Sequence, residues 1–212
     1  MITIKTFVFN SFQENTYILF DESKSCIIVD PGMNSSNEET TLQDYILQNK
    51  LKPTAMINTH CHIDHVLGCK FVKDTYKVPF YIHPDEVPVL DNAIEFGEMF
   101  GLHVEAPPTP DKYLNQGDKY IFGVSELQIM HVPGHSPGSI TLYSAPDNFI
   151  ITGDVLFYGS IGRTDLPGGD YQTLIDNIKS KILVLPREVK AFPGHGPYTT
   201  IGDEYDTNPF LV

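Results

Sequence analysis

Three histidines and one aspartate lie within six consecutive positions, 60–65, of this 212-residue chain. His60 and His62 are two positions apart at the end of an extended run, so their side chains should leave the backbone on the same side. Asp64 and His65 fall where a helix is predicted to begin and should face away from that pair. Two groups of imidazole nitrogens and carboxylate oxygens suit zinc, iron or manganese, with open positions for water. The segment therefore predicts a two-metal centre.

Three further potential ligands each follow a glycine that ends a predicted strand: His135, Asp154 and His195. Taken singly, each is more typical of a solvated turn residue. Strand ends converge on one edge of a sheet, however, and that edge is where the sites of α/β proteins form. Together with the first cluster, these residues predict a shared metal site. The predicted ligands are His60, His62, Asp64, His65, His135, Asp154 and His195.

The other histidines, and the cysteine within the cluster, are expected to be structural. His83 ends a predicted strand, His103 lies in an irregular stretch, and His131 alternates within a strand. Cys61 lies between two predicted ligands, but its side chain should point the opposite way, as a packed thiol.

The elements that must position these residues alternate between strands and helices. Strands are predicted at 3–8, 16–20, 26–29, 55–59, 80–82, 127–132, 139–143, 148–152 and 189–192, and helices at 36–50, 64–76 and 171–181. The proline-rich and acidic stretch 84–118 is predicted to be irregular. This order favours a mixed α/β architecture with helices outside the sheets. No shift of composition marks a boundary, so we expect one domain over residues 1–212.

The composition limits the partners and the compartment. The 14 basic residues stand against 27 acidic ones, which gives a net charge of −13. Such a surface repels nucleic acids and anionic membranes, so a small-molecule substrate is expected and the oligomeric state is left open. No stretch approaches 18 consecutive apolar residues, and the N-terminus lacks the pattern of a signal peptide. With three cysteines and no disulfide spacing, a cytoplasmic protein is expected.

The metal motifs, in this order, resemble those of the metallo-β-lactamase-fold hydrolase superfamily. They are Thr-His-Cys-His-Ile-Asp-His at 59–65, Pro-Gly-His at 133–135, Gly-Asp at 153–154 and Pro-Gly-His at 193–195. The resemblance implies a four-layer αββα sandwich with the metals at the sheet edge. It also implies a ligand set: His60, His62 and His135 for the first metal, Asp64, His65 and His195 for the second, and Asp154 as a bridge.

The implied chemistry is hydrolysis. Two divalent ions, expected to be zinc with iron or manganese as alternatives, would lower the pKa of a bridging water. Asp64 and Asp154 would be the catalytic residues, because they would orient the resulting hydroxide and accept its proton. A thioester suits such a centre, since a thiolate leaves with little help from a general acid.

A finer resemblance is to the glyoxalase II-like branch, which acts on thioesters such as S-lactoylglutathione. It rests on 159–165, 194–197 and 208–210. Arg163 and Tyr198 are candidate substrate contacts, with an ion pair to Asp165 and simple packing as their respective alternatives. Full-length glyoxalase II proteins have a further helical domain with basic residues for glutathione, whereas this chain ends 17 residues after His195 and has two arginines. Glutathione as the carrier thiol is left open.

Two other activities stay open. A mononuclear iron persulfide dioxygenase would use His60, His135 and Asp154, and its motifs are similar around residues 162–165. Other hydrolases on the same fold act on esters, lactones or amides.

Overall fold

The computed structural model describes residues 1–99, 101 and 104–212, and two six-stranded sheets face each other in it. The first sheet contains, in order, β1 (Thr3–Phe9), β2 (Glu14–Phe20), β3 (Ser25–Val29), β4 (Lys52–Ile57), β5 (Phe80–Ile82) and β6 (Lys112–Tyr113). The second sheet contains β7 (Lys119–Phe122), β8 (Ser125–His131), β9 (Ile140–Ser144), β10 (Phe149–Gly153), β13 (Lys190–Pro193) and β14 (Thr199–Thr200). A separate small hairpin is formed by β11 (Leu156–Phe157) and β12 (Ser160–Ile161).

The helices are short and connect the strands. They are α1 (Ser36–Gln48), α2 (Ile63–Val66), α3 (Cys69–Tyr76), α4 (Val87–Asp91), α5 (Ala93–Met99), α6 (Tyr171–Asn177) and α7 (Ile201–Thr207). A 3-10 turn at Pro84–Glu86 precedes α4, and a π-helical turn at Ile178–Ile182 follows α6. Among the described residues, no helix has the length and apolar composition of a membrane span.

The alternation of side chains along the first sheet separates two apolar cores. In β3, Cys26 and Ile28 lie in a core shared with Leu42 of α1, whereas Ile27 and Val29 lie in a core shared with the second sheet. Successive side chains of a strand point to opposite faces, so one strand can serve both cores. All four of these strand residues are fully buried, as expected for a strand covered on both sides.

The second sheet repeats the arrangement. Phe149 and Ile151 of β10 face the core between the sheets, and Ile150 packs with Leu174 of α6 and Ile178 of the π-helical turn. Three apolar cores therefore lie between four layers. This confirms the αββα sandwich that the family resemblance implied.

Two predicted elements differ in the structure. Residues 84–118, predicted to be irregular, contain α4, α5 and β6. Prolines 84 and 88 occupy the first turns of helical segments, where proline is tolerated because those backbone N–H groups need no partner within the helix.

The helix predicted over 64–76 is divided into α2 and α3 at Gly68, whose N–H donates to the carbonyl of Pro31 at 2.7 Å. A Cβ at Gly68 would lie 2.9 Å from that oxygen, so the close approach requires glycine.

Hydrogen bonds join the ends of strands from the two sheets. The N–H of Asn15 donates to the carbonyl of Gly194 at 2.7 Å, and the Tyr17 hydroxyl donates to the carbonyl of Pro193 at 2.5 Å. The N–H of Ile140 donates to the carbonyl of Thr59 at 2.8 Å. These bonds hold together the segments that carry the predicted ligands.

Candidate metal centre

The predicted ligands lie just beyond the C-terminal ends of four strands. His60 follows β4, His135 follows β8, Asp154 follows β10 and His195 follows β13. β4 belongs to the first sheet and the other three strands to the second, so the site is built at the edge that the two sheets share. The structure brings all seven predicted ligands together there.

The first ligand group is formed by three imidazoles. Nδ1 of His62 lies 2.9 Å from Nε2 of His135, and that nitrogen lies 3.2 Å from Nε2 of His60. The ring planes are inclined to one another by 78–87°. Three ring nitrogens therefore converge on one small volume.

The remote nitrogens of two of these rings show which protons they carry. Nδ1 of His135 lies 2.7 Å from the carbonyl oxygen of Arg163, which can only accept, so Nδ1 carries the proton. Nδ1 of His60 lies 3.1 Å from the Thr59 hydroxyl, which donates its own proton to Asp30 and so accepts from His60. The Nε2 atoms of His60 and His135 then face each other as lone pairs. A cation between them removes that repulsion, so the group fits a metal ion.

The second ligand group is formed by Asp64, His65 and His195. Oδ2 of Asp64 lies 3.0 Å from Nε2 of His195 and 3.7 Å from Nε2 of His65. Nδ1 of His195 lies 3.1 Å from the carbonyl oxygen of Phe12, and Nδ1 of His65 lies 3.2 Å from a carboxylate oxygen of Asp30. The remote nitrogen of each ring thus lies near an oxygen acceptor, so each ring, once it has lost its second proton, would present Nε2 to a bound metal.

The carboxylate of Asp154 lies between the two groups. Its Oδ2 is 3.6 Å from Nε2 of His135 in the first group and 3.6 Å from Nε2 of His195 in the second. Its Oδ1 is 3.4 Å from Nε2 of His65. Among the described residues, neither Oδ1 of Asp154 nor Nε2 of His65 has a hydrogen-bond partner, although both are buried. Unpartnered buried polar atoms that face one another in this way fit bound cations.

Burial and mutual proximity shift the pKa values of the ligands. Burial lowers the pKa of His60 far below its ordinary value and that of His62 to about 3, so both rings are neutral. Burial acts to lower the pKa of His65, but the carboxylates of Asp64 and Asp154 outweigh it and raise that pKa. Burial likewise acts to raise the pKa of Asp154, but the imidazole of His65 outweighs it, and the carboxyl is ionised at neutral pH. Metals bind neutral imidazoles and ionised carboxylates, so His60, His62 and Asp154 are already in the binding form, whereas a metal must displace a proton from His65.

A model of the metallo-beta-lactamase superfamily matches residues 10–195. The chain belongs to this superfamily. It is 38% identical over 200 residues to the probable metallo-hydrolase YqgX of Bacillus subtilis. The aligned region covers 94% of this chain and 92% of that protein. The chain is 37% identical over 203 residues to the hydroxyacylglutathione hydrolase GloC of Haemophilus influenzae, covering 95% of this chain and 94% of that protein.

Solved structures with the same fold resemble the chain along nearly its whole length. A structure described as BLEG-1 B3 metallo-beta-lactamase has a TM-score of 0.91 and 36% identity, and covers 99% of this chain and 100% of its own. TTHA1623, described in a di-iron-bound form, has a TM-score of 0.89 and 36% identity, and covers 98% of this chain and 100% of its own. The chain thus has the metallo-beta-lactamase fold and His and Asp clusters able to bind divalent metals, while the identity of the metal is left open.

Two buried carboxylates support the superfamily site but were not predicted from the sequence. Oδ1 of Asp30 accepts from the N–H of Thr59 and its Oδ2 from the Thr59 hydroxyl, both at 2.6 Å, next to His60. Asp30 follows β3 as the ligands follow their strands, which is a signal the sequence did contain. Glu86 accepts from the N–H groups of Cys61 and Gly138, each at 2.7 Å. No sequence feature singled Glu86 out, because its segment was predicted to be irregular.

A cavity of about 450 Å³ opens onto the ligands. Its lining residues are Phe12, Cys61, His62, Ile63, Asp64, Val89, Ala93, Phe96, His135, Asp154, Phe157, Ser160, Ile161, Arg163, Leu166 and His195. Arg163 lines this cavity, but its guanidinium pairs with both carboxylate oxygens of Asp165 at 2.7 Å. Tyr198 is not part of the lining, and its ring packs on Phe192 with a centroid distance of 5.6 Å. Substrate contact by Arg163 or Tyr198 stays a prediction.

The residues expected to be structural lie apart from the ligand groups or pack beside them. Cys61 is buried in the core beneath the first sheet, and burial raises the pKa of its thiol well above the ordinary value. His83 and His131 stack on each other at a centroid distance of 4.0 Å, and His131 donates to the carbonyl of Pro137 through Nε2 at 3.0 Å. His103 lies outside the described residues.

Proposed function

We propose that this protein is a hydrolase that uses two divalent metal ions to cleave a small thioester. The observation that carries the proposal is the position of Asp154, whose carboxylate lies within 3.6 Å of ligand nitrogens from both groups. A carboxylate shared by two ligand sets is what a two-metal centre needs, and a site for one metal has no use for the second set.

The proposed roles follow from the geometry of the chain's own groups. One ion would be held by His60, His62 and His135. The other would be held by Asp64, His65 and His195, and Asp154 would contact both. Bound there, the ions would polarise the substrate carbonyl and lower the pKa of a water molecule. The carboxylates of Asp64 and Asp154 would orient that water and accept its proton.

A thioester is favoured over an ester or an amide because of what the leaving group requires. Among the described residues that line the cavity there is no lysine or tyrosine to protonate a departing alkoxide or amine. A thiolate needs no such proton, since thiols have a pKa of about 8.5. The relative GloC, named a hydroxyacylglutathione hydrolase, supports the same class, and S-lactoylglutathione is the first substrate to test.

The first test combines metal content with activity. We expect the protein loaded with zinc to bind about two ions per chain and to hydrolyse an acyl-thioester, with iron and manganese as alternative loadings. Asp154→Asn removes a charge but keeps the shape, so it should lower kcat by about 10²- to 10⁴-fold while the circular dichroism spectrum is unchanged. The matched control is Asp176→Asn on the exposed side of α6, where Gln172 is the one described residue that donates to the carboxylate.

Two results would contradict the proposal. One iron per chain together with oxygen consumption on a persulfide would assign the protein to the dioxygenases and leave the second ligand group without a role. Two bound metals with hydrolysis of esters, lactones or amides, and none of any thioester, would refute the substrate class alone.

A further inference from the structure

The cavity over the metal centre is lined mainly by hydrocarbon. Its apolar side chains come from both sides: Phe12 and Ile63 near the ligands, Val89 and Phe96 from α4 and α5, and Phe157 from the β11–β12 hairpin. The ring of Phe157 lies 6.2 Å from that of His195, so the apolar wall reaches the ligands themselves. A volume of about 450 Å³ is in the range of sites for small molecules.

The charged side chains of the described lining favour an uncharged ligand over a carboxylate. Arg163 is the one arginine or lysine among the described lining residues, and two of the five N–H groups of its guanidinium already donate to the carboxylate of Asp165, which offsets its charge. Two bound divalent ions would outweigh the negative charges of Asp64 and Asp154 at the floor, but that positive charge would be centred on the ligand groups. A ligand carboxylate placed against the apolar wall would lose its hydration without gaining a partner.

We propose that the cavity binds a compact apolar acyl group, and that the preferred substrates are thioesters of uncharged thiols rather than of glutathione. This inference rests on the proposed thioesterase function and narrows its substrate class. Glutathione carries two carboxylates and one ammonium group, and for its carboxylates the described lining offers only Arg163, which is already paired with Asp165. An apolar acyl chain needs only the wall that is present.

Matched substrate series test the acyl and thiol parts separately. Acetyl, propionyl, butyryl and hexanoyl thioesters would be prepared both on N-acetylcysteamine, which is uncharged, and on glutathione. We expect kcat/KM to rise about fourfold per added methylene until the cavity is filled, because each buried methylene favours binding by that factor. At equal acyl length, the N-acetylcysteamine thioester should have the higher kcat/KM.

A substitution in the apolar lining tests whether the preference for longer acyl groups comes from this cavity. Phe96→Ala removes one ring from the lining, and we expect it to lower kcat/KM about tenfold for the hexanoyl thioester and less than threefold for the acetyl one. The control is Phe210→Ala, a partly exposed ring outside the lining, which should leave both values unchanged.

The outcomes separate this inference from the proposed function. A flat dependence on acyl length, or a tenfold preference for glutathione thioesters that Arg163→Ala abolishes, would overturn the apolar substrate class while leaving the thioesterase intact. Absence of hydrolysis for every member of both series, with two metals bound, would instead refute the proposed function.

Discussion

Glu86 holds two of the ligand segments together, and Glu86→Gln tests whether that matters for metal binding. The side chain is fully buried at the end of the 3-10 turn. Its Oε2 accepts from the N–H of Cys61, between His60 and His62. Its Oε1 accepts from the N–H of Gly138 and the hydroxyl of Ser136, just after His135.

The cost of the substitution follows from counting donors. Three groups donate to the carboxylate, and two of them are backbone N–H groups that cannot reverse direction. Glutamine has the same shape, but one of its two positions becomes an NH₂ group. In its better orientation that NH₂ faces the N–H of Cys61, which loses its buried acceptor, and the remaining bonds lose the assistance of the charge. We expect the free energy of unfolding to fall by about 2–4 kcal/mol.

The metal affinity shows whether Glu86 positions the metal ligands or only stabilises the fold. Groups that orient metal ligands typically contribute about 10- to 100-fold in affinity, so we expect Glu86→Gln to weaken binding of one ion by that factor and to affect the other less. Competition with a chromophoric chelator measures both affinities. Ser136→Ala, which removes one hydroxyl bond, should produce a smaller loss of the same kind. Glu126→Gln, an exposed residue paired with Lys119, is the matched control.

Two results would refute this reasoning. If Glu86→Gln bound both metals with wild-type affinity and only its unfolding free energy fell, the carboxylate would be structural alone. If neither quantity changed, the buried hydrogen bonds would contribute nothing. Measurements on Ser136→Ala keep the test decisive should Glu86→Gln fail to fold.

Two further predictions concern stability. Burial acts to raise the pKa of Asp21, but hydrogen bonds from Ser23, Val124 and Ser125 outweigh it and lower that pKa. The ionised carboxylate therefore stabilises the folded state fully above about pH 4, and this stabilisation is lost as the pH falls through the lowered pKa. Asp21→Asn should therefore lower the unfolding free energy by about 1–3 kcal/mol at neutral pH and by less in acid; urea denaturation that gave a constant difference would contradict this. Removal of both metals by a chelator should lower Tm by about 10–20 °C and zinc should restore it, because a ligand at 100 times its Kd adds about 2.7 kcal/mol per site. A Tm that ignored the chelator would argue against metal binding by the folded state.

The sequence was informative where chemistry and chain order coincide. The cluster at 60–65 and the glycine-linked residues His135, Asp154 and His195 predicted which groups would meet. The strand-and-helix order, with the resemblance, predicted the αββα layers. The alternating direction of side chains in strands such as β3 is a local property, because it depends only on the period of the backbone, and the continuous apolar run of β3 is visible without coordinates.

The sequence was uninformative where partners are distant and the segment is short. Prolines suggested an irregular 84–118, yet α4 and α5 form there, because tertiary packing stabilises short helices that are marginal in isolation. Nothing local indicates that Glu86 would accept from Cys61 and Ser136, which are 25 and 50 positions away. Such contacts depend on how the two sheets are joined.

What the sequence by itself determined is the set of metal-type groups, their assignment to strand ends and the superfamily they resemble. What only the tertiary structure decided is which neighbouring residues support these groups, which line the cavity and which lie outside it. Asp30 and Glu86 became supports, Arg163 became an ion-paired wall of the cavity, and Tyr198 packed outside it. The reason is physical: ligand identity is a property of side-chain chemistry, whereas burial, proton location and charge compensation depend on neighbours brought from elsewhere in the chain.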